Sequence, residues 1–468
     1  MFRFCYHLFT IMLQHSEPGR VHVMKQLKHY DFTQKVSDRE LRCFLFPFFL
    51  SSGFQCIHAL VNTAVVSRYL SQDAVAVIGA CTGCVFIFNT MIPAFISGLG
   101  IYISRCIGTG DSEEISQSFW GAVYITLTIG MICAALILFS RVILQLADVP
   151  ESLMENAISY FSIILFGTGA LFLKLILIST IQGMGNSTIP AITSMAGVVG
   201  QTLLVVFLIA GLHMGVAASA LAMLLNHLWQ IAVLAFFLHT HSKDRFYFKM
   251  PLHIHANRYL SLLVNGCSKG FLFIFLAIGS FIMQRMENLL PTDFIAGDTY
   301  ADQFTSLFTE LLSAYGSAAV VIVGQNAGRG NYRQIDNYIH RLNRRSLLWY
   351  LIIGVISLGF APTLIGCLAG NTASSDAILA GIFEMRIVFI SYPFLYALVT
   401  LRYSLQSMGD YLAMPIVGLV EMSINILMAM MIPYIGYPAV CLGLALSRIG
   451  GGLTAILRYR WFIKKQCS

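Results

Sequence analysis

Long runs of apolar residues, separated by short polar or glycine-rich segments, divide the chain into regularly spaced units. A helix that crosses a bilayer needs about 20 consecutive apolar residues. Backbone polar groups in lipid have no water to bind, so each run is expected to form an α-helix. We predict twelve transmembrane helices, called spans one to twelve, at 42–66, 75–103, 119–145, 155–181, 188–211, 215–238, 260–289, 294–323, 346–366, 377–403, 412–434 and 438–457.

The composition indicates an all-α polytopic membrane protein and excludes a sizeable soluble domain. The chain of 468 residues is 57% hydrophobic and only 11% charged, whereas soluble chains carry about 25% charged residues. The net charge of +7 is attributed to loops at one membrane face, so it predicts no nucleic-acid partner. The partner that this composition does predict is the lipid bilayer.

The basic residues fall on alternate loops, and this pattern predicts the orientation of the helices. Loops rich in Lys and Arg stay in the cytoplasm, so with an even number of spans both termini are expected there. The basic segments hold Arg3, Arg20, Lys25, Lys28, Lys35, Arg39 and Arg42 before span one, Lys243, Arg245, Lys249 and Arg258 after span six, Arg329, Arg333, Arg341, Arg344 and Arg345 after span eight, and Arg458, Arg460, Lys464 and Lys465 in the tail.

The second half of the chain repeats the first. Gly108 and Gly110 coincide with Gly328 and Gly330 when the sequence is shifted against itself, and 182–186 coincides with 406–410. Two parallel copies of six helices, with a substrate cavity between them, are typical of transporters. The predicted organisation is a cytoplasmic N-terminal segment at 1–41, an N-lobe at 42–238, a cytoplasmic inter-lobe loop at 239–259, a C-lobe at 260–457 and a cytoplasmic tail at 458–468.

Short motifs recur in the same order in both halves. They are Pro47 in span one, Val61-Asn62-Thr63, the turn Gly108-Thr109-Gly110-Asp111, the turn Gly183-Met184-Gly185-Asn186 with Pro190, the Gly-rich turn at 324–331, and the turn Met408-Gly409-Asp410 with Pro415. Together they cover roughly 42–465 and resemble the multidrug and toxic compound extrusion (MATE) transporters. The resemblance implies two six-helix lobes in the inner membrane of a bacterium, and export of an organic molecule driven by a Na⁺ or H⁺ gradient.

The chain departs from this family where the resemblance implies coupling residues. The family usually carries an acid in helix one, where this chain has Asn62, and an amide does not bind and release a proton near neutral pH. One branch of the family has a Glu in helix seven and an Asp in helix ten, where this chain has Leu276 and Leu395. Coupling residues are therefore expected at other positions.

Span eight carries a polar face that extends over about three to four turns. Asp298 and Asp302 lie on one helical stripe, and Gln303 and Glu310 lie on the next. Ionisable residues at bilayer depth are costly and functional by default. We expect these four residues to bind the coupling cation, Na⁺ or H⁺, with Glu310 also able to bind a cationic substrate. The structural alternative is that the acids neutralise nearby basic residues, or that Asp298 caps the helix.

Polar residues within the other apolar runs are candidates for the substrate cavity. Each also has a structural alternative, because Lys269 could pair with Asp298 or Asp302 and the amides could bond neighbouring helices. Arg402 and Glu384 lie nearer helix ends, where snorkelling to the interface explains them. The cavity candidates are Gln55, Asn62, Asn89, Lys174, Lys269, Tyr300 and Glu421.

The leading hypothesis is a MATE-like exporter, a monomer that exchanges Na⁺ or H⁺ for an organic cationic or amphipathic molecule by alternating access. The alternatives are a lipid-linked saccharide flippase of the same superfamily and, less well supported, a membrane-embedded lipid enzyme. Such flippases carry more basic residues and extra helices, so twelve spans with two lysines favour the exporter. No motif predicts catalysis, a nucleotide, or a metal other than a monovalent cation at Asp298 and Asp302.

Overall fold

The computed structural model describes residues 29–69, 72–147, 149–212, 214–241, 250–251, 253–369 and 374–467. The side chains of 56–76, 210, 241 and 467 lie outside the described part. Within these ranges the regular structure is helical, without strands. This agrees with the all-α prediction and with the rule that a backbone in lipid must satisfy its own hydrogen bonds.

The first six spans form the N-lobe. A π-helical turn, Ile87–Met91, lies within span two, and a second one, Phe207–Gly211, ends span five. The bounds are α1 Asp38–Tyr69, α2 Gln72–Phe86, α3 Ile92–Thr109, α4 Ser112–Ala135, α5 Ser140–Leu146, α6 Met154–Gly183, α7 Thr188–Val206 and α8 Ala217–His241.

The last six spans form the C-lobe, in which the helices on either side of Phe360 are bent by 64° against each other. Pro393 lies inside the helix of span ten and Pro433 inside the helix of span eleven. The bounds are α9 Ala256–Glu287, α10 Thr292–Gly328, α11 Tyr332–Gly359, α12 Ala361–Ala369, α13 Ser375–Met408, α14 Ala413–Ile435 and α15 Pro438–Cys467.

Eleven of the twelve predicted spans correspond to helices that are long and apolar enough to cross a membrane. In the described part of the chain, ten helices are long and apolar enough to cross a membrane, and the bent pair α11–α12 makes an eleventh. Span one corresponds to α1, of which the side chains from 56 to 69 lie outside the described residues. Each lobe has its own apolar core, one built on α3, α4 and α6 and the other on α10 and α13.

Four glycine turns lie together at one end of the bundle, which we call the turn end. Gly110, Gly185, Gly330 and Gly409 have φ values of 77°, 87°, 71° and 98°, a left-handed conformation that only glycine adopts without strain. These are the turns that the repeated motifs predict. Asn186 caps the helix after its turn, because its Oδ1 accepts hydrogen bonds from two backbone amides of α7 at 3.1 Å.

The lobes contact each other backbone against backbone near the turn end. A Cβ atom at Gly108 of α3 would stand under 3.0 Å from the backbone of Gln325 of α10, and one at Gly328 would stand equally close to Arg105. Higher on α3, Gly98 approaches the backbone of Asn265 of α9 in the same way. Only glycine fits at these positions, so the contact leaves no space between the lobes at this end.

Residues 29–37, which we call the strap, run along the turn end before α1 and contact both lobes. The Tyr30 amide donates to the carbonyl of Gly185 at 3.1 Å, in the N-lobe. The Phe32 amide donates to Oε1 of Gln325 at 2.9 Å, and the Tyr338 hydroxyl donates to the Gln34 carbonyl at 3.0 Å, both in the C-lobe. The strap therefore adds hydrogen bonds that hold the lobes together.

A cluster of buried apolar residues reinforces this contact. Phe32 of the strap and Phe44 of α1 pack edge to face, with ring centroids 4.7 Å apart. Both belong to a cluster with Tyr315 of α10 and Tyr338 of α11. Since α1 belongs to the N-lobe and the other two helices to the C-lobe, apolar burial opposes separation of the lobes.

We predict that Gly108→Val opens the turn end, because the added side chain cannot fit against Gln325. Hydrogen–deuterium exchange should become faster in the strap and at 183–186. Gly359→Val is the matched control, since a Cβ at Gly359 meets nothing within 4 Å. Unchanged exchange in the Gly108 variant, or an equal increase in the control, would show that the glycine contact does not hold the lobes together.

Candidate functional site

A cavity of about 520 Å³ lies between the two lobes. The N-lobe contributes residues of α1, α3, α6, α7 and α8, and the C-lobe contributes residues of α9, α10 and α13. Four candidates from the sequence, Gln55, Lys174, Lys269 and Glu310, line it. The volume falls in the range of small-molecule sites, about 300–1,000 Å³.

The two cavity lysines come from different lobes. Lys174 of α6 contacts His227 of α8, with 3.2 Å between Nζ and Nδ1. Lys269 of α9 lies over the ring of Tyr403, with Nζ 4.9 Å from its centroid. Within the described residues, neither lysine forms an ion pair with a carboxylate. The suggested pairing of Lys269 with Asp298 or Asp302 is therefore not found there.

A chain of three amides crosses from α7 to α8 on the N-lobe wall of the cavity. Asn226 Nδ2 donates to Gln201 Oε1 at 2.8 Å, and Gln230 Nε2 donates to Asn226 Oδ1 at 3.0 Å. Gly197 makes room for this chain, since a Cβ there would meet Gln230 and Asn226 at under 3.0 Å. The chain fixes the donors and acceptors that this wall presents.

Four carboxyl groups from three helices form a second feature inside the C-lobe, which we call the acid cluster. It consists of Glu287 of α9, Asp298 and Asp302 of α10, and Glu384 of α13. Glu384 is 1% exposed and Glu287 is 3% exposed. Asp298 neighbours both of these side chains. These side chains lie outside the set that lines the cavity.

Hydroxyl and amide groups surround the acid cluster. The Tyr437 hydroxyl donates to Glu384 Oε2 at 3.0 Å, and Gln284 Nε2 donates to Glu287 Oε2 at 3.3 Å. The hydroxyls of Thr305 and Ser306 donate to Asp302 Oδ1 at 3.3 and 3.2 Å. Asp302 is the exposed member, so it connects the buried acids to the polar face of α10.

The acid cluster lacks a basic partner among the described residues. None of its four carboxyls forms an ion pair with Lys or Arg there. Neighbouring ionised carboxylates repel each other, and burial without a basic partner adds to this cost. Proton uptake or cation binding would relieve this repulsion.

No three His, Cys, Asp or Glu side chains of the described residues are arranged to hold a metal ion together. A monovalent cation at the acid cluster would therefore need hydroxyl, carbonyl or water oxygens as well. Oxygen ligands of this kind suit a hard cation. Thr305, Ser306 and Tyr437 supply hydroxyls at the cluster.

Comparison with known proteins identifies the family. The sequence pattern of the MatE family matches twice, at residues 47–208 and 270–431, once in each lobe. The chain belongs to the MatE family. It is 23% identical to the probable multidrug resistance protein YpnP of Bacillus subtilis over 444 residues, covering 93% of this chain and 97% of YpnP.

Two further relatives agree with this assignment. The probable multidrug resistance protein NorM of Thermotoga maritima is 23% identical and covers 70% of this chain and 71% of its own. A solved multidrug resistance MATE family transporter of the MOP superfamily, in an outward-facing conformation, superimposes with a TM-score of 0.84 at 17% identity. It covers 94% of this chain and 98% of its own, so this MatE chain has the MATE fold.

In this MatE protein, the residues proposed for cation coupling separate into two places. Asp298 and Asp302 belong to the acid cluster, and Glu310 lines the central cavity. Gln303 is exposed and belongs to neither set. The polar face of span eight thus borders the acid cluster at one place and the central cavity at another.

Three of the remaining cavity candidates lie away from the cavity. Tyr300 packs against the apolar core of the C-lobe. Asn89 lies in the first π-helical turn, where its Oδ1 is buried with no hydrogen-bond partner in the described part. Glu421 forms a buried ion pair with Arg402, 3.5 Å from Nη1 to Oε2. The side chain of Asn62 lies outside the described residues.

Two interpretations of charged residues near helix ends were wrong. Arg402 does not snorkel to the interface, because its side chain is only 12% exposed and pairs with Glu421. Glu384 is a buried member of the acid cluster.

Sequence reasoning also missed Glu287 and His227. A signal was available for Glu287, since it ends the apolar run of span seven, but the sequence does not show that it meets Asp298.

We predict that Arg402→Leu lowers the melting temperature of the purified protein, because it leaves Glu421 buried and unpaired. Breaking a buried pair in this way costs about 3–5 kcal/mol. The double variant Arg402→Leu/Glu421→Leu should regain most of the lost stability, since apolar pairs can replace buried ion pairs. An unchanged melting temperature in the single variant would show that the pair is not structural.

Proposed function

We propose that this MatE protein is a secondary-active exporter that exchanges Na⁺ or H⁺ for an organic small molecule by alternating access. The observation that carries the proposal is the acid cluster, four carboxyls without a basic partner in the described residues, in the same lobe as one wall of the cavity. Ionisable side chains inside a membrane protein are costly, and binding of an organic ligand in the cavity does not by itself require them.

The acid cluster and the cavity are connected by α10. Asp302 and Glu310 are eight residues apart on this helix, which corresponds to about 12 Å along its axis. The same helix reaches the turn end, where Gln325 contacts the strap and Gly183. Cation binding at one end of α10 can therefore shift a helix that also lines the cavity and closes the turn end.

The orientation follows from the basic loops. The turn end carries Arg105, Arg329 and Arg333, so by the positive-inside rule it faces the cytoplasm. The contact between the lobes at this end then makes the present state outward-facing. We further propose that both termini are cytoplasmic, that the protein is a monomer in the inner membrane of a bacterium, and that it is not an enzyme.

We predict that Asp298→Asn and Glu384→Gln each weaken cation binding. The purified protein would be tested for binding of radioactive Na⁺, and for proton uptake between alkaline and mildly acidic pH. Loss of one carboxylate should reduce Na⁺ affinity by tenfold or more, on the order of 1.4 kcal/mol. If protons drive transport, each variant should take up fewer protons than the wild type.

Asp376→Asn is the matched control, because Asp376 is an exposed acid on α13, the helix that carries Glu384. It should bind cations as the wild type does. The proposal fails if the wild type binds no Na⁺ and takes up no more protons than the two cluster variants. It also fails if the control loses as much binding as they do.

A further inference from the structure

The lining of the central cavity combines apolar side chains with many hydroxyl and amide groups. Small-molecule sites are lined predominantly by hydrophobic and aromatic side chains with few polar groups. Here nine serines line the cavity, and the amide chain of Gln201, Asn226 and Gln230 forms one wall.

The hydroxyl and amide groups of this lining favour a ligand that forms many hydrogen bonds. An apolar ligand would displace the water that hydrogen-bonds to this wall and would form no hydrogen bonds in its place. Each donor or acceptor left unpaired in this way costs about 1–3 kcal/mol. Gln230 Oε1 is already buried without a hydrogen-bond partner in the described residues. A ligand with several hydroxyl groups can donate to and accept from such a wall.

The charge of the lining favours an anion. Two ammonium groups, Lys174 and Lys269, face one carboxylate, Glu310, in the same cavity. Neither lysine is neutralised by an ion pair in the described part. A half-buried ammonium without a counter-ion is unfavourable, so an anionic group on the ligand would stabilise both.

The neighbours of the lysines leave them available as donors. Lys174 Nζ lies 3.2 Å from Nδ1 of His227, and a neutral imidazole nitrogen can accept a hydrogen bond from an ammonium group. That contact adds no negative charge. Lys269 lies over the face of Tyr403, which attracts a cation more weakly than a carboxylate would.

We propose that the substrate is a hydrophilic, hydroxyl-bearing molecule with one anionic group, a phosphate or carboxylate, bound between Lys174 of the N-lobe and Lys269 of the C-lobe. This proposal rests on the proposed exporter function and names its substrate class. A group held by one lysine from each lobe would link the lobes in the occupied state. It differs from the cationic substrate that the sequence led us to expect.

The first test measures thermal stabilisation of the full-length protein in detergent by a panel of probes at millimolar concentration. The anionic probes are glucose 6-phosphate and gluconate, and polyprenyl-phosphate-linked glucose represents the same chemistry on a lipid. The cationic probe is tetraphenylphosphonium. We expect at least one anionic probe to raise the melting temperature, since a ligand that binds the folded state stabilises it.

Variants then locate the binding site. Lys174→Met and Lys269→Met should each weaken binding of the stabilising anion about ten- to hundredfold, as expected for one charge-assisted hydrogen bond. Lys464→Met is the matched control, since Lys464 is exposed near the end of α15 and lies away from the cavity. The melting temperatures of the ligand-free variants would show that they fold.

The outcomes separate this proposal from the exporter function. Stabilisation by a soluble anion that both lysine variants weaken supports a soluble substrate, and stabilisation by the lipid-linked probe alone supports a lipid headgroup of the same chemistry. If only tetraphenylphosphonium binds, or no anionic probe binds, the substrate proposal is overturned. In that case Na⁺ binding or proton uptake at the acid cluster would still support the exporter function.

Discussion

The contact between the two lobes at the turn end is the constraint on which the rest of the structure depends. Gly108 and Gly328 allow α3 and α10 to approach until their backbones touch. Such an interface offers no intermediate spacing, because a small separation loses the contact without admitting a side chain or a water. Two lobes that meet in this way are suited to a two-state transition, closed at this end or open.

The cavity and the acid cluster lie at different distances from that contact, and their positions relate them to it. With the turn end closed, the cavity is separated from that side of the membrane, and its lining joins residues from both lobes. The acid cluster lies within the C-lobe near the opposite end of α10, with Asp298 about 40 Å along the helix from Gln325. Coupling across that distance requires a rigid element, and α10 and α13 both extend from the cluster to the turn end.

The features that depend on local chemistry could be predicted from the sequence. The twelve spans follow from apolar length, and the glycine turns follow from a backbone conformation that few residues adopt. The acid cluster could not be predicted in full, because Glu287 and Glu384 reach Asp298 from separate helices whose rotation no local pattern encodes. For the same reason the sequence left open a pairing of Lys269 with Asp302, whereas α9 turns Lys269 towards Tyr403.

The most direct test of the account asks whether the acid cluster controls the turn end. Hydrogen–deuterium exchange of the strap would be measured with and without Na⁺, and at alkaline and mildly acidic pH, in the wild type and in Asp298→Asn/Glu384→Gln. The account predicts that Na⁺ or H⁺ changes strap exchange in the wild type and not in the double variant. Equal exchange under all conditions, or the same response in the double variant, would contradict it.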